Sequence, residues 1–202
     1  IDNRPHMFTE PESRERALLI WEEFAKRYHD RWIIGGYDLL NEPLSGPDCR
    51  KLLPELAKFY DDVIPRIRKY DKKHMLTLEG SVFSMDMEIF DHDYDPECHN
   101  WCIHIHYYGF SPEVRTLYRF LDTSLKNNVP IWIGEGGSDP VSNSVFYEIA
   151  GAYDIGYAVW SWKRADDPKG DGSSAVTYPI PEKWDVMRDY IRNGGPRPSY
   201  KE

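Results

Sequence analysis

Apolar positions along this chain switch between two spacings. Over residues 12–29, Ala17, Leu18, Trp21, Phe24, Ala25 and Tyr28 recur three and four apart. Arg14, Arg16, Lys26 and Arg27 fall mostly off that stripe, which predicts an amphipathic helix with a solvated face. Residues 33–41 are nearly all apolar and predict a parallel strand buried on both faces. A second helix is predicted over 49–70 from Leu52, Leu53, Leu56, Phe59, Tyr60, Val63, Ile64 and Ile67, with Pro54 and Pro65 blurring its bounds. Further strands are predicted over 74–79, 101–108, 130–135 and 157–162. Helices are predicted over 112–127, 142–153 and 181–191, the last with Pro181 in its first turn. Residues 1–10 read as irregular. A long loop rich in Met and aromatics separates the second and third strands, and a polar, Gly-rich loop follows the fifth.

Strands alternating with helices argue for an α/β fold with a parallel sheet. Strand ends recur about every 25 to 37 residues, and eight such units would fill a (β/α)8 barrel of about 240 residues. The 202 residues supply five such strands. The order begins and ends on a helix, as the C-terminal five-eighths of a TIM barrel would, with strands 4–8 present. No linker divides the chain, so a single domain over 1–202 is expected.

Composition narrows the chemistry. The net charge of −9 argues against a nucleic-acid surface, which needs Lys and Arg to displace counterions. Three cysteines, Cys49, Cys98 and Cys102, are too few and too odd in number for a disulfide framework; Cys98 and Cys102 are expected to be free. The absence of any apolar run of roughly 18 residues speaks against a transmembrane helix. Aromatic residues make up 14% of the chain, with 7 Trp and 14 Tyr, enough to furnish stacking platforms for sugar rings as well as a core.

Two carboxylates sit at predicted strand tips, where barrels carry their catalytic groups. Glu42 ends the first strand in Asn41-Glu42-Pro43, and Glu135 ends the fourth in Gly134-Glu135-Gly136-Gly137. Two such carboxylates are the minimum equipment for glycoside hydrolysis. A general acid must hold its proton until the bond breaks, and a second carboxylate nearby favours that. The glycines beside Glu135 leave room for a sugar to approach the backbone. In the third strand, period-2 alternation puts His104, His106 and Tyr108 on one face. His106 and Tyr108 are expected to hydrogen-bond around Glu135, with His104 deeper as a core residue. His-x-His also admits a metal-dependent hydrolase built on His104, His106 and Glu135, but no further His or Cys spacing supports a metal site. Trp160 and Trp162 share a side of the fifth strand and either can floor a sugar subsite.

Together these residues resemble the cellulase-like glycoside hydrolase family 5. The resemblance rests on Asn41-Glu42-Pro43, His106-x-Tyr108, Gly134-Glu135-Gly136 and Trp160, each at a strand tip and in the family's order. It implies Glu42 as acid/base, Glu135 as nucleophile, Asn41 on the sugar 2-hydroxyl and Trp160 under the sugar ring. It further implies retaining hydrolysis of a β-linked glucan or mannan without cofactor, an oligo- or polysaccharide as partner, and a secreted setting. The family's Arg and His from the second and third barrel strands have no counterparts here. Either a missing N-terminal half-barrel or self-association would then complete the sheet, whose edges would otherwise be exposed. The rival reading is a non-catalytic carbohydrate-binding fragment.

Overall fold

The computed structural model describes residues 5–45, 49–108, 114–137, 140–160, 163–165, 176–178, 189 and 192–194. The chain divides into two compact units, Ile1–Val159 and Trp160–Glu202. The first unit carries helices α1 (His6–Thr9), α2 (Pro11–Tyr28), α3 (Leu53–Arg68), α5 (Val114–Asn127) and α6 (Pro140–Ala152), with a short turn α4 (Ser81–Ser84). A 3-10 turn, Cys49–Leu52, leads into α3. Its strands are β1 (Gly36–Asp38), β2 (Met75–Glu79), β3 (Trp101–Tyr107), β4 (Ile131–Gly136) and β5 (Gly156–Tyr157), forming one sheet in the order β1-β2-β3-β4-β5. Every neighbouring pair is parallel. In the second unit, β6 (Lys163–Ala165) pairs in parallel with β7 (Val176–Tyr178). The helix predicted over 181–191 lies almost wholly outside the described residues.

The sheet's two faces differ in chemistry because side chains alternate along each strand. Leu76 and Leu78 of β2 and Ile103 and Ile105 of β3 share one face with Ile131 and Ile133 of β4. These six are buried with Leu56, Phe59, Val63, Ile64 and Ile67 of α3 in the main core. The other face carries Thr77, Glu79, Cys102, His104 and His106. A hollow of about 380 Å3 opens on it, lined by Gly36, Asp38, Met75, Thr77, Cys102 and Trp132 among others. Cys98 and Cys102 are free thiols.

Several elements depart from the sequence expectation: a short helix, α1, stands within residues 1–10, which read as irregular, and the strand expected over 157–162 ends at Tyr157. The strand expected over 33–41 is only Gly36–Asp38: Ile34 N–H closes a turn onto Arg31 O, and Trp32 and Ile33 are exposed. As the sheet's edge, β1 has a partner on one side alone, so the expected two-faced burial does not extend to its N-terminal end. Likewise α2 buries Leu18 and Ala25 but exposes Phe24 and Tyr28, along with Leu19 and Ile20.

Candidate active site

Glu42 lies just beyond β1, whose ladder continues through Leu39 N–H to Thr77 O. Its φ of 44° puts a non-glycine residue in the left-handed region, which L side chains rarely occupy. The conformation turns its N–H onto Glu79 Oε2 at 2.7 Å, while Ser45 Oγ donates to its carbonyl at 3.0 Å. The Glu42 side chain shares a hydrogen bond with His106 Nδ1, 2.8 Å from Oε1. Asn41 is exposed beside it.

Glu135 reaches the same face by a register shift. Ile103, His104 and Ile105 pair with Ile131, Trp132 and Ile133, but His106 then pairs with Glu135 and Tyr107 with Gly136. One extra residue on β4 has been taken up between them. Without it, simple alternation would put Glu135 on the face of Ile131 and Ile133, among the aliphatic core. With it, the carboxylate stands beside His106. Tyr108 donates its hydroxyl to Glu135 Oε2 at 2.7 Å, and His106 Nδ1 is 3.6 Å from the same oxygen. Burial first, then that hydrogen bond to Glu135, push the Tyr108 phenol well above its usual range, so it stays a donor.

Gly134 makes room for this arrangement. A Cβ there would lie 1.7 Å from His104 Nε2 and 2.4 to 2.5 Å from two ring carbons. His104 is buried and cannot swing into solvent. Gly134→Ala is therefore expected to lower stability by about 1–3 kcal/mol through overpacking, a drop in Tm of roughly 2–12 °C for a chain of this size. Thermal melts check this; an unchanged Tm would mean that His104 yields freely.

The imidazoles sit among four carboxylates. His104 Nδ1 is 2.8 Å from Asp38 Oδ2 and 3.0 Å from Glu79 Oε1, and the two imidazole centroids are 4.8 Å apart. Burial opposes the His104 charge, but Asp38 and then Glu79 outweigh it and raise the imidazole to about 9. Burial likewise opposes charge on His106, and Glu79 and then Glu42 again reverse it. For Glu79 itself, burial works against ionisation, yet His104, His106 and Ser84 draw the carboxyl down to about 2.

These shifts give stability a pH window. His104, raised above its ordinary 6.5, stabilises fully below 6.5 and loses its contribution as pH rises through about 9. Glu79, depressed from 4.5, stabilises above 4.5 and loses its contribution as pH falls through about 2. Tm is expected to be highest between about 4.5 and 6.5 and to decline toward pH 9. The alkaline decline should shrink in Asp38→Asn, which removes one partner of the imidazolium. Melts from pH 3 to pH 10 read this directly, and a flat alkaline side would contradict it.

Two trios, Glu79-His104-His106 and Glu42-His106-Glu135, bring their potential ligand atoms within 4.8 Å of one another. A metal takes imidazole in its neutral form. Here the surrounding carboxylates favour imidazolium, so the donor set suits ion pairs better than a metal centre. Glu135, moreover, is grouped with His106 and Glu42, not with His104. The structure thus brings together Glu42, Glu135, His106 and Tyr108. Trp160 is exposed at the start of the second unit, and Trp162 lies outside the described residues. Sequence reasoning missed Glu79: it read as the last residue of an apolar strand, although a third carboxylate at a strand tip was itself the available signal.

Comparison with known proteins bears on this geometry. The family model described as Cellulase (glycosyl hydrolase family 5) matches residues 3–166. A β-xylosidase of Phanerodontia chrysosporium is 37% identical over 96 residues, which are 48% of this chain and 19% of that protein. Among solved structures, the cellulase Cel5C_n superposes with a TM-score of 0.68 at 18% identity, covering 96% of this chain and 61% of its own. The endoglucanase Cel5A of Thermotoga maritima gives 0.65 at 22% identity, over 79% and 62%. A Thermomonospora fusca β-mannanase, solved with mannotriose, gives 0.64 at 21%, over 89% and 61%. These likenesses place the parallel sheet in the TIM-barrel fold, as the strand order implied. The chain spans about a fifth of the β-xylosidase and about three fifths of each solved chain.

Proposed function

From the chain's membership of the cellulase family, glycosyl hydrolase family 5, we propose that it is a glycoside hydrolase of β-linked glucan or mannan that works by double displacement. The observation that carries this reading is the placement of Glu42 and Glu135, one oxygen of each lying within 4.8 Å of one oxygen of the other and both near His106 Nδ1. Retaining glycosidases hold their two carboxyl groups about 5–5.5 Å apart, whereas inverting enzymes leave roughly 6.5–9.5 Å for a water.

In this reading Glu42 protonates the departing glycosidic oxygen while Glu135 attacks the anomeric carbon. A covalent glycosyl-enzyme forms, and Glu42 then takes a proton from the incoming water. Tyr108 holds Glu135 Oε2 by its hydrogen bond, with His106 Nδ1 3.6 Å from the same oxygen, which limits the motion needed to reach the attacking geometry. Asn41, exposed next to Glu42, takes a sugar hydroxyl in this reading. The two carboxylates suffice for the chemistry, so no cofactor is invoked.

The open edge at β1 and the exposed Leu19, Ile20, Phe24, Trp32 and Ile33 support completion of the sheet by further strands, from a longer chain, a partner or a second copy. The test is sugar release from a panel of β-glucans, β-mannans and β-xylans, with proton NMR of the first product formed. Release of the β-anomer is expected. The α-anomer would overturn double displacement, and oligosaccharide binding without turnover would favour the carbohydrate-binding reading.

A further inference from the structure

Glu79 ends β2, is fully buried and lies on the sheet face that carries His104 and His106. A buried carboxylate is retained at a cost unless its oxygens are met by donors or opposite charge; here Oε2 is met by hydrogen bonds, while Oε1 has no hydrogen bond of its own and faces the two imidazoles. Oε2 accepts the Glu42 N–H at 2.7 Å and the Ser84 hydroxyl. Oε1 lies 3.0 Å from His104 Nδ1 and 3.5 Å from His106 Nε2. Tyr60 of α3 clamps the Glu79 backbone on both sides, donating to its carbonyl at 2.8 Å and accepting its N–H at 3.2 Å.

The backbone around this carboxylate is strained on two separate segments. Glu42 has a φ of 44°, and Val82, Phe83 and Ser84 have φ values of 53°, 55° and 59°. Left-handed backbone is unfavourable for residues with a Cβ, more so for a β-branched one such as Val82. Glu79 Oε2 is the point at which both segments converge, since it holds Glu42 through its N–H and Ser84 through its hydroxyl. Strain kept in place by surrounding contacts clusters where a side chain must be aimed. The side chain aimed here is that of Glu42.

We propose that Glu79 is a positioning residue for the acid/base step, fixing the Glu42 backbone through one oxygen and, through His106, the Glu42 carboxyl. The proposal rests on the assignment of Glu42 as acid/base. His106 is the relay: Nε2 faces Glu79, while Nδ1 faces Glu42 and, farther off, Glu135. The remaining titratable neighbours are His104, which Asp38 also reaches, and Tyr108 on Glu135. Neutralising Glu79 removes the buried counter-charge of the imidazolium and loosens the ring that touches Glu42.

The test compares two leaving groups. A dinitrophenyl β-glycoside departs without protonation, whereas an oligosaccharide needs the acid. In Glu79→Gln, kcat/KM on the oligosaccharide should fall about 10- to 100-fold, within the range that general acid catalysis contributes. On the dinitrophenyl glycoside it should fall less than about threefold, because that part of the contribution is not used. The His106 imidazole, followed by 15N NMR, should titrate at lower pH in the variant. Ser84→Ala removes one partner of Glu79 while keeping its charge; it should show a smaller loss in the same sense, and it decides the matter if Glu79→Gln does not fold. Equal losses on both substrates, or an unmoved His106 midpoint, would overturn the positioning role in an active enzyme. A wild type inert on both glycosides would instead overturn the hydrolase reading, and the role of Glu79 with it.

Discussion

Replacing Glu135 by Gln is expected to abolish turnover of a β-glucan or β-mannan, lowering kcat/KM by about 10^4- to 10^6-fold, the scale on which hydrolases lose a covalent nucleophile. The carboxamide has nearly the size of the carboxylate and still presents an oxygen to the Tyr108 hydroxyl, which donates to Glu135 Oε2 at 2.7 Å. The fold and the sugar-binding surface should therefore survive. What is lost is the anionic oxygen that attacks the anomeric carbon and offsets its developing positive charge. Substrate affinity measured by calorimetry should change by less than about threefold, because binding and chemistry separate when a group acts only in the transition state.

A second pair of variants assigns the roles. Glu135→Ala supplied with azide should release a glycosyl azide of inverted configuration, because azide enters from the face that Glu135 vacates. Glu42→Ala should yield the retained azide, because there azide replaces the base-assisted water in the second step. Near-normal turnover by Glu135→Gln would sink the nucleophile assignment, and exchanged azide products would reverse the two roles.

Arg68→Met is expected to destabilise the first unit by about 3–5 kcal/mol, the cost of leaving a buried carboxylate without its partner. Arg68 closes α3 and is 1% exposed. Its Nε and Nη2 donate to Asp95 Oδ2 at 3.0 and 2.8 Å. Nη1 donates to the carbonyls of Asp71 and His74 at 3.0 and 2.8 Å, and Nη2 to that of Asn100 at 2.9 Å. All five N–H groups of the guanidinium are thus used. They tie together the chain entering β2 and the chain entering β3, at the sheet end opposite Glu42 and Glu135.

Truncation to Met leaves Asp95 charged in the core and three carbonyls short of a donor. Tm should fall by roughly 6–20 °C. Replacing both partners, as in Arg68→Met with Asp95→Leu, should recover part of the loss because no lone charge remains buried. If denaturant melts place the single variant within about 1 kcal/mol of wild type, the pair contributes far less than breaking a buried ion pair usually costs. Because the pair lies away from the candidate site, the variant's specific activity at low temperature should be preserved.

The alternation of apolar periods along the chain was enough to establish the α/β class and the order of the first unit's main helices and five parallel strands. It also put Glu42 and Glu135 at strand tips and His104 and His106 on one face of β3. Each of these follows from local repetition: a helix or a parallel strand must present its apolar side every 3.6 or 2 residues. Strand lengths were less legible. An apolar run such as 33–41 records hydrophobicity, and not whether a neighbouring strand is present to bury it.

Three features depended on tertiary structure. Glu135 shares a face with His106 only because β4 takes up an extra residue against β3. Period-2 parity read from the sequence would send Glu135 to the opposite face, since a one-residue slip reverses every side chain beyond it. Glu42 meets His106 because its backbone adopts a left-handed turn that a neighbouring strand's carboxylate holds in place. Glu79 does that holding across 37 residues of chain, a separation over which no local pattern carries information. Local periodicity set the strands and the residue types at their tips; contacts distant in sequence decided which of those tips converge.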